Sequence, residues 1–344
     1  MYYIDTGVIS PYTEKKGVDS AIRHKNKSAR QRHSGHFGEP PGRIPVFMRS
    51  PCRMVISKYK LFEDVAETGS FTKSAERLGY SQSGVSHILK GLEAELGFPL
   101  FVRSKRGVTP TPNAELLLPL IRNVLSETEK LEQTIHAIQG LEAGELTIAT
   151  YSSISVHWLP PLLHQFKERY PHIDIILKEG GADDILQWIQ ENIVDLGFLS
   201  LPHPCGLDWI PLASDPLMAV LPKDYPLASR DAFPMGEFEG KSFIISAVGT
   251  DYDIHHALET CKVHPDMKYS SMDDRAIISM VIHHLGISIL SELILTDYTE
   301  RITALPLKPF FCRELGIAMR SYAELPPAAR KFADFAKQKL RTDK

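Results

Sequence analysis

The sequence predicts a chain of mixed α+β and α/β class, in which a small helical domain, one long helix and a larger two-lobed domain follow one another. Three observations support this: three short amphipathic helices followed by a hairpin, a long heptad pattern of apolar residues, and an alternation of strands and helices beyond it. A length of 344 residues favours two or three domains, and a composition of 43% hydrophobic and 24% charged residues is ordinary for a globular protein.

Composition argues against several classes of protein. No run of about 18 apolar residues is present and the first residues lack a signal-peptide pattern, so we expect a cytoplasmic protein that does not enter a membrane. The spacing of His256, Cys261 and His264 matches no metal site, and no G-x-S-x-G motif is present. We therefore expect no metal, no cofactor and no enzyme activity. Four widely separated cysteines indicate reduced thiols: Cys52, Cys205, Cys261 and Cys312.

Charge is distributed unevenly along the chain. Residues 1–53 carry a net charge of +6, residues 54–111 carry +2, and the remainder carries −11. Positive charge at one end favours contact with a nucleic acid, whose phosphates would repel the other end. Residues 1–53 lack a hydrophobic period, so we expect either a disordered basic extension or a mis-assigned start with the natural one at Met54.

Residues 54–111 predict a domain of three helices and a basic hairpin. The first helix covers residues 58–68, and Ser70 is placed to cap a second helix that extends to Leu78. A third helix runs from Gln82 to about Leu96, and residues 100–109 form a short hairpin with three basic residues near its tip.

The third helix has one apolar face and one polar face. In a helix-turn-helix, such a helix enters the major groove and hydrogen-bonds to base edges through its polar side chains. A polar face that is merely solvated is the alternative that the pattern alone leaves open. The polar face carries Gln82, Ser83, Ser86, His87 and Lys90.

Residues 112–143 predict a linker and dimerisation helix. Apolar residues alternate by four and three, which is the heptad pattern of a helix that pairs with another helix. Pro119 is expected to kink this helix or delay its regular start. The predicted seam comprises Leu117, Ile121, Val124, Thr128, Leu131, Ile135 and Ile138.

Residues 144–344 predict two α/β lobes joined by crossing strands. The order β-α-β-α-β over residues 146–199 implies a parallel sheet. The alternation then resumes and ends with a strand at 315–319 and a helix at 328–340. We expect lobe I to comprise about residues 144–212 and 314–344, and lobe II about residues 213–313.

Residues 58–112 resemble the N-terminal signature of the LysR-type transcriptional regulators. The match is ungapped and includes residues 61–78, 81–86, 92–97 and 99–103. It implies a winged helix-turn-helix, a long linker helix and a two-lobed type 2 periplasmic-binding-protein-like domain. By position, it implies DNA contacts from Ser70, Thr72, Ser81, Gln82, Ser83, Ser86, His87, Lys90, Arg103 and Arg106.

The resemblance continues more weakly to the C-terminus, as at residues 195–197 and 221–228. It implies that a small-molecule effector binds between the lobes, where strand ends and helix N-termini attract anions. An anionic effector is therefore one expectation, although Asp251 and Asp253 would compete with it. The effector-binding residues implied by position are Ser152, Ser153, Ser155, Leu201, Pro202, Gly249, Thr250, Asp251, His283 and Gly286.

Together these patterns predict a sequence-specific transcription regulator that binds double-stranded DNA at an interrupted inverted repeat and responds to a small-molecule effector. It is expected to act as a homodimer or homotetramer, with RNA polymerase as a further partner. The alternative is a two-lobed solute-binding or enzyme domain with an incidental DNA-binding module. The polar recognition helix, joined to lobes without a catalytic motif, favours the regulator.

Overall fold

The computed structural model describes residues 51–104, 107–200, 206–246 and 252–340, with side chains from Ile56 onward. Within these ranges no helix is both long and apolar enough to cross a membrane. The predictions for residues 1–50 lie outside the described residues, as do those for Arg106, Leu201, Pro202, Gly249, Thr250 and Asp251.

The N-terminal domain has the predicted three helices and hairpin. Ser70 accepts a hydrogen bond from the Lys73 amide at 3.3 Å and caps the second helix, as predicted, while Ser81 caps the third. Gly79 ends the second helix with a φ of 71°, a conformation that suits glycine. The elements are α1 (Pro51–Thr68), α2 (Phe71–Leu78), α3 (Gln82–Leu96), β1 (Phe101–Ser104) and β2 (Gly107–Pro110).

The linker helix α4 extends over 27 residues, Pro112–Ile138. The expectation that Pro119 delays the start of this helix is wrong. The helix already begins at Pro112, because Thr111 caps it and because an amide hydrogen at the first helical position has no partner within the helix, so proline is tolerated there. The predicted seam is also displaced at its N-terminal end, where Leu117 and Ile121 pack into the core of the winged domain. The exposed apolar row of α4 is Leu116, Leu120, Val124, Leu131 and Ile138.

Lobe I contains the predicted parallel β-α-β-α-β unit. Its strands β4 (His172–Glu179), β3 (Ala143–Thr150) and β5 (Leu196–Ser200) are adjacent and parallel, and the later strand β12 (Cys312–Met319) pairs antiparallel with β5. Phe166 and Phe332 meet edge to face at 5.0 Å in its core. The elements are β3 (Ala143–Thr150), α5 (Ser152–His157), α6 (Leu159–Arg169), β4 (His172–Glu179), α7 (Ala182–Gln190) and β5 (Leu196–Ser200).

A single strand of 15 residues, β6 (Asp208–Pro222), belongs to both lobes. Its first half pairs with β12 in lobe I. Its second half pairs with two strands of lobe II, β10 (Ser288–Ser291) and β11 (Ile302–Lys308). The predicted crossing strands are therefore present. Separate hydrophobic cores lie on either side of the crossing, one built around Phe166 and the other around Phe243.

Lobe II contains three strands that the sequence pattern did not predict, β7 (Phe233–Pro234), β9 (Asp266–Ser271) and β11 (Ile302–Lys308). Most side chains of β9 are exposed, so its sequence lacks the apolar run that marks a buried strand. The elements are β7 (Phe233–Pro234), β8 (Ser242–Ser246), α8 (Tyr252–Cys261), β9 (Asp266–Ser271), α9 (Asp274–Ile282), β10 (Ser288–Ser291), α10 (Glu292–Leu295) and β11 (Ile302–Lys308), after which β12 (Cys312–Met319) and α11 (Pro327–Leu340) complete lobe I.

Candidate functional site

The third helix presents its predicted polar face to solvent. Val85 and Leu89 are buried against the winged-domain core, which fixes the rotation of α3 about its axis. The opposite side of α3 faces solvent. Most of its side chains are short hydrogen-bonding groups close to the N-terminus of the helix. Exposed there are Ser81, Gln82, Ser83, His87 and Lys90.

One arginine of the wing is held against this helix. The Nη2 atom of Arg103 donates to the Ser86 hydroxyl at 2.9 Å, and its guanidinium lies 4.3 Å from the centre of the Phe71 ring. These two contacts orient an exposed cation beside the polar face of α3. Ser70 lies half-buried at the N-terminal cap of α2, and Thr72 is exposed in the first turn of the same helix.

A cavity of about 300 Å³ lies between the lobes at the ends of β3, β8 and β10. Of the predicted effector residues, Ser152 and Ser153 line this cavity. Ser155 does not line it but donates to the carboxylate of Glu179, which does.

His283 and Gly286 do not line the cavity. Gly286 precedes β10, and a Cβ atom on it would lie 2.7 Å from the Ser242 carbonyl oxygen, so its glycine serves the close packing of β10 on β8. His283 ends α9, and its ring bonds to the Ser279 carbonyl at 2.8 Å. The cavity lies at the opposite end of β10, beside Ser291.

A buried arginine joins the two lobes at the cavity wall, and the sequence analysis missed it. Arg313 donates to the Oδ2 atom of Asp215 from Nε at 2.9 Å and from Nη2 at 2.7 Å. The same Nη2 approaches the Ser153 hydroxyl of lobe I at 2.9 Å and the Ser291 hydroxyl of lobe II at 2.7 Å. Asp215 also accepts the Leu293 amide at 3.0 Å. The signal available in the sequence was weak: Asp215 and Arg313 each lie shortly before an apolar run, at residues 216–222 and 315–319.

Two carboxylates of lobe II also line the cavity. Burial raises the pKa of Asp274 to about 6, against the lowering effect of Arg313. Burial likewise raises the pKa of Asp253, whose Oδ2 accepts the Ser200 hydroxyl at 3.0 Å. Among the described residues, no group of three or more histidine, cysteine or acidic side chains is placed to hold a metal ion.

The linker helix is attached to lobe I by a buried amide. Gln133 is 1% exposed, donates to the Glu145 carbonyl at 2.8 Å and accepts the Ala328 amide at 3.1 Å at the start of α11. Ion pairs at the same junction join Arg122 to Glu63 of α1 and to Glu191 of lobe I. The winged domain, the linker helix and lobe I are therefore in direct contact.

A winged helix with an exposed polar recognition face, attached to two lobes that enclose a cavity, defines a DNA-binding protein with a ligand-sensing domain. Comparison with models of protein families identifies the family to which it belongs. Residues 56–115 match the bacterial regulatory helix-turn-helix protein, lysR family, and residues 139–341 match the LysR substrate binding domain. The chain belongs to the LysR family of DNA-binding transcription regulators with effector-binding domains, as the sequence predicted.

Known proteins of similar sequence and fold agree with this assignment. The uncharacterized HTH-type transcriptional regulator YvbU of Bacillus subtilis is 32% identical over 288 residues, which cover 83% of this chain and 98% of YvbU. A variant of full-length OxyR from Pseudomonas aeruginosa has a TM-score of 0.66 at 23% identity, covering 84% of this chain and 98% of OxyR.

Two further solved structures share the fold. Full-length CbnR complexed with its target DNA has a TM-score of 0.59 at 18% identity, covering 82% of this chain and 99% of CbnR. The regulatory domain of CcmR from Synechocystis PCC6803, in complex with 2-PG, has a TM-score of 0.54 at 23% identity, covering 58% of this chain and 98% of that domain.

Proposed function

We propose that this regulator reads an interrupted inverted repeat through the polar face of α3 and its wing, and that an effector bound between the lobes controls its action there. The observation that carries the first part is the exposed, uncharged N-terminal half of α3 beside the oriented guanidinium of Arg103. Gln82 is suited to pair with an adenine edge, whereas Lys90 and Arg103 are suited to phosphates. The remaining predicted contacts are Ser70, Thr72, Ser81, Ser83, Ser86, His87 and Arg106.

Two copies of the chain are proposed to pair through the exposed apolar row of α4. Exposure of five apolar side chains on one side of a single helix to water is unfavourable. Contact with the same row on a second copy of α4 would bury them. A pair of winged domains related by a two-fold axis would then contact two half-sites. Pairing of dimers into tetramers and contact with RNA polymerase stay predictions.

The cavity between the lobes is the proposed effector site. It is supported by its position between two hydrophobic cores, by Ser152 and Ser153 in its lining, and by the solved CcmR domain of the same fold, which is in complex with 2-PG. His283 and Gly286 are left out of this proposal because they lie at the far end of β10. The domain limits 54–111, 112–143 and 144–344 are proposed as predicted from the sequence.

Selection of bound duplexes from a random library by the full-length protein tests the DNA-reading role. We expect an enriched inverted repeat, lost preference at one base position per half-site for Gln82→Ala, and an unchanged consensus for the control Gln139→Ala, an exposed glutamine at the end of α4. Recovery of no palindromic consensus by the wild-type protein would contradict the proposal.

A further inference from the structure

The cavity between the lobes carries an excess of negative charge. Among the described residues, three carboxylates line it, Glu179 from lobe I and Asp253 and Asp274 from lobe II, against one guanidinium, that of Arg313. The segments 201–205 and 247–251 lie outside the described residues, and neither contains a lysine or an arginine. An incoming ligand therefore meets a negative electrostatic potential.

The one guanidinium of the described lining is already neutralised. Arg313 is 9% exposed, and Asp215 holds it through two hydrogen bonds to one carboxylate oxygen. Nη2 also contacts the hydroxyls of Ser153 and Ser291. An anion in the cavity would reach this cation only next to the Asp215 carboxylate, so Arg313 gives little net attraction for it.

The two carboxylates of lobe II, in contrast, lack a cationic partner in direct contact. Asp274 makes no hydrogen bond or ion pair with any described residue, and Asp253 bonds only to the Ser200 hydroxyl among them. Burial raises the pKa of both groups, which shows that their charged forms are poorly solvated. A bound cation would supply the missing counter-charge at both positions.

Besides four serines, the described lining of the cavity contains a group of apolar side chains. Leu217, Leu290 and Ile294 line it together with the aromatic ring of Tyr252. A cavity volume of about 300 Å³ suits a small-molecule ligand. The site thus combines anionic groups on its polar side with a short hydrocarbon surface.

We propose that the effector of this regulator is a small aliphatic amine, whose ammonium group lies between Asp253 and Asp274 and whose hydrocarbon chain packs on Leu217 and Leu290. This inference rests on the proposed role of the cavity as the effector site. It replaces the expectation of an anionic effector, because helix N-termini and hydroxyls alone do not offset three carboxylates. Contact with Glu179 as well would let a diamine bridge the two lobes.

Calorimetric titration of the full-length protein with four probes of matched carbon skeleton tests the ligand class. The probes are diaminobutane, butylamine, butanediol and butyrate, each at constant ionic strength. We expect both amines to bind, the diamine more tightly, and butanediol and butyrate to give no measurable binding. Binding of butyrate in preference to the amines, or failure of both amines to bind at about 10 mM, would overturn the proposal.

Substitution of the carboxylates locates the bound cation. Asp253→Asn and Asp274→Asn are each expected to weaken amine binding at least about tenfold, whereas Glu259→Gln, which removes an equal charge from the exposed side of α8, should leave it unchanged. Equal affinity in all three variants would place the amine elsewhere and refute the assignment. Thermal unfolding without amine shows whether each variant is folded, and we expect the two asparagine variants to be no less stable than the wild type.

The two proposals fail in different ways. If the protein selects a palindromic operator but binds no amine at this cavity, the effector class is wrong and the DNA-reading role stands. If amines bind with the expected dependence on Asp253 and Asp274 but no operator is selected, the ligand class stands and the regulatory role of the α3 face fails.

Discussion

The pair formed by Arg313 and Asp215 should be strongly coupled, since both side chains are at most 10% exposed. Arg313→Met leaves the Asp215 carboxylate buried without its cation, a loss that costs about 3–5 kcal/mol in the free energy of unfolding. Asp215→Asn is expected to cost less, about 1–2 kcal/mol, because asparagine can still accept the Leu293 amide and because Asp253 and Asp274 still act on Arg313 through their charges.

The double variant Arg313→Met/Asp215→Asn removes both charges. We expect it to be more stable than Arg313→Met alone by about 2 kcal/mol, so its loss falls short of the sum of the two single losses by about 3–4 kcal/mol, and this shortfall is the coupling energy of the double-mutant cycle. Urea unfolding followed by tryptophan fluorescence measures each variant, with Arg230→Met as control because the Arg230–Glu237 pair is largely exposed. A double variant that loses the sum of the two single losses would refute the reasoning, as would an Arg313→Met loss no larger than that of Arg230→Met.

Three further outcomes follow from the structure. Burial raises the pKa of Asp195 from 3.8 to about 6, so its ionisation opposes folding increasingly between these two pH values and fully above the upper one. Asp195→Asn should therefore raise the free energy of unfolding by about 2 kcal/mol at pH 7.5 and by about half as much at pH 5, as measured by urea unfolding. Gln133→Ala should cost about 2–4 kcal/mol, because the Ala328 amide and the Glu145 carbonyl lose their partner, whereas Gln139→Ala should change the free energy of unfolding by less than about 0.5 kcal/mol. Leu131→Glu, on the exposed row of α4, should lower the oligomeric mass measured by light scattering, and an unchanged mass would contradict pairing through this helix.

The winged domain was predictable from the sequence because its determinants are local. Capping by Ser70, the left-handed turn at Gly79 and the apolar spacing on α3 each act within a few residues. Of the two expectations at Pro119, the delayed start was wrong for a local reason too: the cap at Thr111 with proline at the first helical position sets the start of α4 ahead of it.

The effector site was less predictable because it is assembled from distant segments. Arg313 meets Asp215 and Ser153 across 98 and 160 residues of sequence, and no periodic pattern reports such a meeting. Gly286 illustrates the converse, since a glycine that looked functional by position serves the packing of two strands. The resemblance to the family, read position by position, identified Ser152 and Ser153 in the lining. The balance of charges in the cavity could be seen only once the folded structure had brought the distant segments together.

The crossing between the lobes determines how they can move. The chain leaves lobe I along β6 and returns along β12, with Pro216 opposite Cys312 and the Leu217 amide donating to the Phe311 carbonyl at 2.9 Å. Two hydrogen-bonded antiparallel strands resist stretching but twist readily. Rotation about these strands is therefore the relative movement of the lobes that the crossing favours, and a ligand that contacts both lobes would bias their relative orientation. A change in that orientation would be transmitted to the winged domain through α11 and the linker helix α4, which are joined by the hydrogen bond between Gln133 and the Ala328 amide.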